Sequence, residues 1–427
     1  MSSKNAKRAR EAFVWTWLPE ATEPVVAGKL TQTGNQLVFN YGKSYLQRPG
    51  AISLYEPELP LRAGLLPLLP GLAMPGVIRD AAPDAWGRRV LINRLLGLRG
   101  RNADTTRLDE LTYLLESGSD RVGALDFQRS ATQYVPRAAT NATLAELLES
   151  AERVERGVPI SSELAEALQH GTAIGGARPK ALIDDRNVRY VAKFSSSTDV
   201  YSMVKAEFIA MRLALRVGLD VATVALRRAS NKDVLLVERF DRVATQDSWR
   251  RRAFVSALTL FGLDELMARY ASYEVLTEIV RHRFADAPAT LRELFGRLTF
   301  NVLCGNTDDH ARNHAAFWDG QRLTLTPAYD ICPQPRTGNE ASQAMLIAGE
   351  DRLSRISSCL AAAHHFLLSR EEAQQITHAQ VAGIAEHWDE VCREARISQT
   401  DRRLLASRQF FNPFSLEGSG IETPRLQ

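Results

Sequence analysis

The stretch Gly305-Asn306-Thr307-Asp308-Asp309-His310-Ala311-Arg312-Asn313, followed by Asp330 at the end of the run Leu323-Thr324-Leu325-Thr326-Pro327-Ala328-Tyr329, sets an acid, an amide and a second acid in chain order. Phosphoryl transfer to a hydroxyl can use those residue types: a carboxylate to accept or orient the hydroxyl proton, and an amide oxygen and a second carboxylate to hold Mg2+ against nucleotide phosphates. Asp308 is therefore the candidate base, and Asn313 and Asp330 are the candidate metal ligands. A polar turn whose Asn and Asp side chains bond their own backbone would produce a similar string. The three oxygen-bearing residues in the right order favour phosphotransfer.

Outward from this stretch, the 427 residues exceed what one hydrophobic core serves, so two or three domains are expected. Hydrophobic residues at 45% and charged residues at 24% are the composition of an ordinary globular protein that can bury a large core. With 53 Lys and Arg against 50 Asp and Glu, the net charge of +3 is too small to argue nucleic-acid binding by bulk electrostatics, and a local basic patch stays open. Cys304, Cys332, Cys359 and Cys392 form no Cys-x-x-Cys pair, which fits a reducing, cytoplasmic compartment. The basic start (Lys4, Lys7, Arg8, Arg10) is not followed by an apolar signal core, and the apolar window Ala63 to Val77 is broken by Pro67, Pro70 and Pro75. No membrane span is expected.

Short strands are expected at Val25 to Leu30 and Gln36 to Tyr41, helices from Pro83 to about Glu116, and a strand over 120–127. Thr143-Leu144-Ala145-Glu146 has capping-box form and opens a helix. A strand-rich block follows from Ala181 to Phe240, with strands at Val188 to Phe194 and Val234 to Phe240 and a helix near Val204 to Val217 between them. Beyond it the pattern is helical, roughly over 253–268, 273–284, 288–303, 353–367, 370–395 and 401–409, with a capping box at Ser369-Arg370-Glu371-Glu372. Strands first and helices after predict an α+β, two-lobed enzyme. The expected divisions are an N-terminal subdomain at 1–130, a nucleotide-binding part at 131–240 and a helical C-terminal lobe at 241–427.

The nucleotide half of such a site should lie upstream. Gly171-Thr172-Ala173-Ile174-Gly175-Gly176-Ala177-Arg178-Pro179-Lys180 is a glycine-containing loop whose bare amides could approach phosphates, although a hairpin turn needing positive φ reads equally well. Lys193 ends an apolar strand and could reach α and β phosphates, with Glu207 on the next helix as a partner. An exposed strand-end lysine and a helix-surface glutamate are the plainer readings. Glu238 and Phe240 stand where strands give way to helices, where backbone groups and an aromatic can meet an adenine.

As an ordered set, these segments resemble the HipA family of serine/threonine kinase toxins. The segments are Gly28-Lys29-Leu30, Gly118 to Leu125, Gly175 to Lys180, Val237 to Arg242, Gly305 to Asn313 and Pro327-Ala328-Tyr329-Asp330. The resemblance implies a two-lobed protein-kinase-like fold, with an N-terminal α/β lobe, a helical C-terminal lobe and ATP between them in a kinase-like cleft. It places the catalytic aspartate on Asp308, the Mg2+ ligands on Asn313 and Asp330, the ATP-contacting lysine on Lys193, the lysine after the phosphate loop on Lys180 and the adenine hinge on Glu238 to Phe240. It also implies phosphorylation of a serine in a protein target such as an aminoacyl-tRNA synthetase, which arrests translation, and a HipB-like helix-turn-helix antitoxin that attaches the complex to operator DNA. One departure concerns regulation. The family's loop carries an autophosphorylated serine where this chain has Ala173, so that switch is absent or has moved to Thr172.

Three other readings remain. His310 and His314 stand four residues apart and would gather a transition metal if 308–315 were helical, although the Glu of a His-Glu-x-x-His site is missing; His310 fits better as a residue that orients the catalytic loop. A pseudokinase acting as scaffold or corepressor has no chemical need for Asp308, Asn313, Asp330 and Lys193 together. A small-molecule kinase would use the same acids and amide.

Overall fold

The structure is a computed structural model that describes residues 9–97, 104–137, 142–158, 168, 176, 178–185, 187–196, 199–424 and 426. The chain forms two compact units of mixed helix and sheet, each assembled from separate stretches. The first comprises Met1–Phe194, Asp241–Val255 and Trp318–Gln321, the second Ser195–Phe240, Ser256–Phe317 and Arg322–Gln427.

In the first unit, strands β1 (Glu11–Thr16), β2 (Val25–Thr33), β3 (Gln36–Tyr41) and β4 (Leu125–Gln128) form a sheet in the order β3-β2-β1-β4. Its pairs are antiparallel, with a register shift in β1 between Val14 and Trp15. Alternation along β3 buries Leu37, Phe39 and Tyr41 on one face, as a half-buried strand requires. Gly28 on β2 has to be a glycine, because a Cβ there would lie 2.2 Å from the Asn40 carbonyl oxygen. The helix Ala85–Leu96 begins at Asp84, whose carboxylate accepts the Gly87 N–H, and stops at Gly97 with φ 66°.

The strand expected over 120–127 is only partly formed, since it occupies Leu125–Gln128. Ahead of it, Gly123 turns at φ 76° and Asp120 and Arg121 are buried in an ion network instead of a ladder. Arg121 donates to Asp126 at 2.9 Å and to the Ala81 carbonyl at 2.9 Å. Arg242 donates to Asp120 at 2.7 Å and to the Gly123 carbonyl at 2.9 Å, which explains why the stretch after residue 240 returns to this unit. Strands β5 (Lys180–Asp185) and β6 (Val188–Phe194) pair as a hairpin that sets Lys180 opposite Lys193.

In the second unit, β7 (Val224–Ala229) and β8 (Lys232–Glu238) form a hairpin turned by Ser230 and Asn231, both at positive φ. The helix Met203–Arg216 carries an apolar face and runs near its expected limits. Helices Tyr273–Arg283, Ala287–Cys304 and Arg370–Ala395 also match the periodicity, and the two capping boxes, at Thr143 and Ser369, are both present. Ala287–Cys304 is the buried axis of this unit: Leu291, Leu294, Phe295, Leu298, Phe300, Val302 and Leu303 are all fully enclosed.

The helix expected over 253–268 does not form. That stretch is a strand at Ala253–Ser256 and one short helix at Ala257–Leu260, which Ser256 caps and the left-handed Gly262 ends. Among the described residues, no helix is long and apolar enough to cross a membrane.

Candidate active site

Gly305 ends the helix Ala287–Cys304 in the left-handed conformation, φ 73°, and returns the chain so that Asn306 N–H bonds the Asn301 carbonyl at 2.8 Å. No side chain fits there, because a Cβ would lie 2.9 Å from the Gln409 carbonyl oxygen. The loop that follows is sewn down by backbone bonds from Gln334 N–H to the Gly305 carbonyl at 3.0 Å and from Ala344 N–H to the Thr307 carbonyl at 3.1 Å. The short 3-10 turn Ala311–Asn313 then leads to the strand Ala315–Trp318.

Asn313 is buried, and its amide nitrogen donates to the Asp308 carbonyl at 3.1 Å. His310 N–H bonds the same carbonyl at 2.9 Å. With its nitrogen engaged, the Asn313 amide presents its oxygen on the other arm, the atom a hard cation takes.

The second acid is positioned independently. Ala328 bonds the 220–222 segment from both sides, its N–H reaching the Asp220 carbonyl at 2.8 Å and its carbonyl accepting the Ala222 N–H at 2.9 Å. Arg297, from the central helix, donates to the Asp220 and Thr326 carbonyls at 3.1 and 2.9 Å and to Glu293 at 2.8 Å. Asp330 follows in the left-handed region at φ 60°, uncommon for a residue other than glycine and tolerated best by Asn and Asp.

The structure brings Asp308 and Asp330 together closely enough for their charges to interact. Asp308 as a residue is exposed, yet protein crowds one side of its carboxyl. That desolvation, with the Asp330 and Asp309 carboxylates, holds its pKa above the ordinary aspartate value against the pull of His310 and Arg312. Phe240 packs at 5.5 Å on Tyr329, the neighbour of Asp330, and at 5.9 Å edge-on against Phe317. Glu238 N–H bonds the Thr223 carbonyl at 2.8 Å. Glu207 lies on Met203–Arg216, where it is buried and not the surface glutamate of the plainer reading.

Lys180, Lys193 and Gly176 belong to the first unit. Lys180 is 3% exposed and its ammonium lies 3.4 Å from the equally buried Asp84 carboxylate, a pairing that sequence reading missed. Asp84 read only as a helix start. Gly176, at φ 110°, leaves no room for a Cβ beside the Lys180 ammonium. Lys193 is partly exposed. Thr172, Ala173 and Gly175 lie outside the described residues.

The helix that would let His310 and His314 gather a transition metal does not form. The turn is 3-10 and His314 Nε2 is engaged by Asp309 at 2.8 Å. Among the described residues, no three His, Cys, Asp or Glu side chains are grouped as a metal site.

The sequence matches the HipA-like C-terminal domain over residues 172–388 and the HipA N-terminal domain over residues 21–128. The chain belongs to the HipA family. Among relatives of this HipA-family chain, a putative kinase of Sinorhizobium fredii is 33% identical over 151 residues, 33% of this chain and 33% of that protein. A putative kinase of Haemophilus influenzae is 26% identical over 208 residues, 43% and 60% of the two chains. The serine/threonine-protein kinase toxin HipA of Shewanella oneidensis is 25% identical over 183 residues, 37% and 42% of the two chains. The matched segment thus spans 33% to 60% of the length of these relatives. The solved complex of Shewanella oneidensis HipA with HipB and operator DNA shares the fold, with a TM-score of 0.66 at 20% identity over 89% of this chain and 92% of the other.

Proposed function

We propose that this HipA-family chain is an ATP- and Mg2+-dependent serine/threonine protein kinase, the toxin of a HipBA-like toxin-antitoxin pair. The observation that carries the reading is that the Asp308 and Asp330 carboxyls lie within range of each other's charge, with the Asn313 amide nitrogen already bonded to the Asp308 backbone. The donor set is of hard oxygens, which fits Mg2+ with phosphates and water completing its shell. When bound, Mg2+ and ATP supply the transferable phosphoryl group and neutralise charge on it.

Asn313 and Asp330 hold the metal in this reading, and Asp308 orients the acceptor hydroxyl and takes its proton. A raised Asp308 pKa improves its match to that task. Lys193, Lys180, Gly175 and Gly176 are assigned to the nucleotide phosphates, Glu238 and Phe240 to the adenine, and Glu207 to pairing with Lys193. His310 is assigned to orienting the catalytic loop, and Thr172 is the loop's candidate phosphoacceptor in place of Ala173.

Family membership supports a serine in a translation factor, such as an aminoacyl-tRNA synthetase, as the target. It also supports a HipB-like helix-turn-helix antitoxin as partner, with operator DNA reached mainly through that antitoxin. Four buried cysteines, none in a disulfide, accord with a cytoplasmic setting.

The test is ATP-dependent phosphorylation by wild type and Asp308→Ala, with ATP binding measured in parallel. Loss of transfer in Asp308→Ala with binding retained is expected. Equal transfer by both proteins removes Asp308 as the base, and a wild type that binds no ATP leaves a scaffold or corepressor. Transfer to a sugar or antibiotic but to no protein would reassign the acceptor.

A further inference from the structure

Beneath the proposed catalytic loop, Tyr273, Asp309 and His314 form a closed polar cluster at 0%, 1% and 3% exposure. Asp309 follows the exposed Asp308 directly, and its carboxylate accepts on both oxygens. Oδ2 takes the Tyr273 hydroxyl and Oδ1 takes His314 Nε2–H at 2.8 Å. The Tyr273 oxygen also lies 3.0 Å from His314 Nε2, and the two rings meet edge to face at 5.3 Å. Bonding to a carboxylate assigns the proton to Nε2.

Two distant segments meet here: the first residue of Tyr273–Arg283, and the loop after the central helix, which supplies both Asp309 and His314. Tyr273 is itself fixed, since its N–H bonds the Leu346 carbonyl at 2.9 Å and its ring packs on Phe366 at 6.3 Å. Asn301 and Asn306 extend the cluster back to the central helix, with Asn306 Nδ2 donating to Asn301 Oδ1 at 3.0 Å.

A buried carboxylate is costly unless it is fully bonded, so a cluster that satisfies Asp309 on both oxygens has a single low-energy arrangement. It grips the loop at Asp309 and at His314, the residues beside Asp308 and Asn313. Between those grips runs only the turn that carries the Asn313-to-Asp308 bond.

We infer that Tyr273, Asp309 and His314 are positioning residues that lock the 308–314 loop from below, so that Asp308 and Asn313 are preset before any substrate binds. As far as catalysis is concerned this rests on the kinase reading, but the lock itself does not. It acts through Asp308 and Asn313 and touches no reacting atom.

Hydrogen exchange on the full chain tests the lock whatever the activity. In Tyr273→Phe and Asp309→Asn, amides of 306–314 are expected to exchange about tenfold faster or more, the loss of a hydrogen bond to a charged group, while Arg370–Ala395 keeps its wild-type protection. Unchanged exchange in 306–314, or equal acceleration throughout the second unit, would overturn the inference. Tyr273→Phe removes one hydroxyl, so it serves if Asp309→Asn fails to fold.

The second arm is kinetic. Each variant is expected to lower kcat about tenfold or more with the KM for ATP nearly unchanged. His314→Gln, which keeps an N–H donor, should recover most of what His314→Leu loses. A raised KM at constant kcat, or no difference between Gln and Leu, counts against positioning. A wild type with no phosphotransfer defeats the kinase reading alone, and the exchange result still decides the lock.

Discussion

Gly305→Ala puts the smallest possible side chain at the corner where the central helix hands over to the catalytic loop. Two costs follow from the structure. The backbone there has φ 73°, a conformation that costs an L-residue about 1–2 kcal/mol. The new Cβ would also stand 2.9 Å from the Gln409 carbonyl oxygen, 3.1 Å from its Cα and 3.2 Å from its carbonyl carbon. These are backbone atoms that no rotamer change can move, and overpacking of this kind adds about 1–3 kcal/mol. The sum is roughly 2–5 kcal/mol.

Gly349→Ala is the matched control. It also has positive φ, 52°, but its Cβ meets nothing within 4 Å among the described residues, so only the backbone cost of about 1–2 kcal/mol applies. Urea denaturation followed by circular dichroism measures both. Gly305→Ala should unfold at clearly lower urea, and phosphotransfer by the folded fraction should also fall, because relief of the contact moves residues 306–313. Equal midpoints for the two variants would refute the argument that the Gln409 contact reserves this position for glycine.

Other expectations follow from the same geometry. Asn313→Asp offers magnesium a stronger ligand but faces the Asp308 carbonyl, 3.1 Å away, with a carboxylate in place of an N–H donor. A loss of about 1–3 kcal/mol, tenfold or more in kcat/KM for ATP, is expected across a magnesium titration, and improved activity would contradict the donor role. Arg297→Met frees the Thr326 and Asp220 carbonyls and leaves Glu293 only the Asp220 N–H, for a loss of about 2–4 kcal/mol. Calorimetry should show the transition of this unit roughly 5–15 °C lower, and an unshifted transition would mean the clamp holds nothing. In the first unit, Glu58 accepts the Gly76 and Val77 N–H groups at 2.8 and 3.0 Å, yet burial outweighs those bonds and raises its pKa from 4.5 to about 7. A folded-state pKa above the unfolded one gives stability that is fully present below pH 4.5 and is lost as pH rises through about 7, a span of about 3 kcal/mol. Glu58→Gln should flatten that pH dependence, and parallel curves for variant and wild type would rule Glu58 out as its source.

Local signals in the sequence determined much of the fold. Thr143 and Ser369 announced their helices because a capping box is completed within four residues, and Tyr273–Arg283, Ala287–Cys304 and Arg370–Ala395 announced themselves through apolar periodicity. The stretch 253–268 misled because short apolar runs suit strand and helix equally, and contacts with distant segments chose between them. The segment 120–127 misled because its charged residues found buried partners far along the chain, Arg242 among them. The acid–amide–acid order of Asp308, Asn313 and Asp330 was legible in the sequence, since chemistry restricts the residue types. That Asp308 and Asp330 come to interact, that Lys180 lies beside Asp84, and that Asp309 turns inward to Tyr273 and His314 while its neighbour turns out were settled only by tertiary structure. A residue's type is written locally, but the partner of a buried charge is whichever group the packed chain delivers to it.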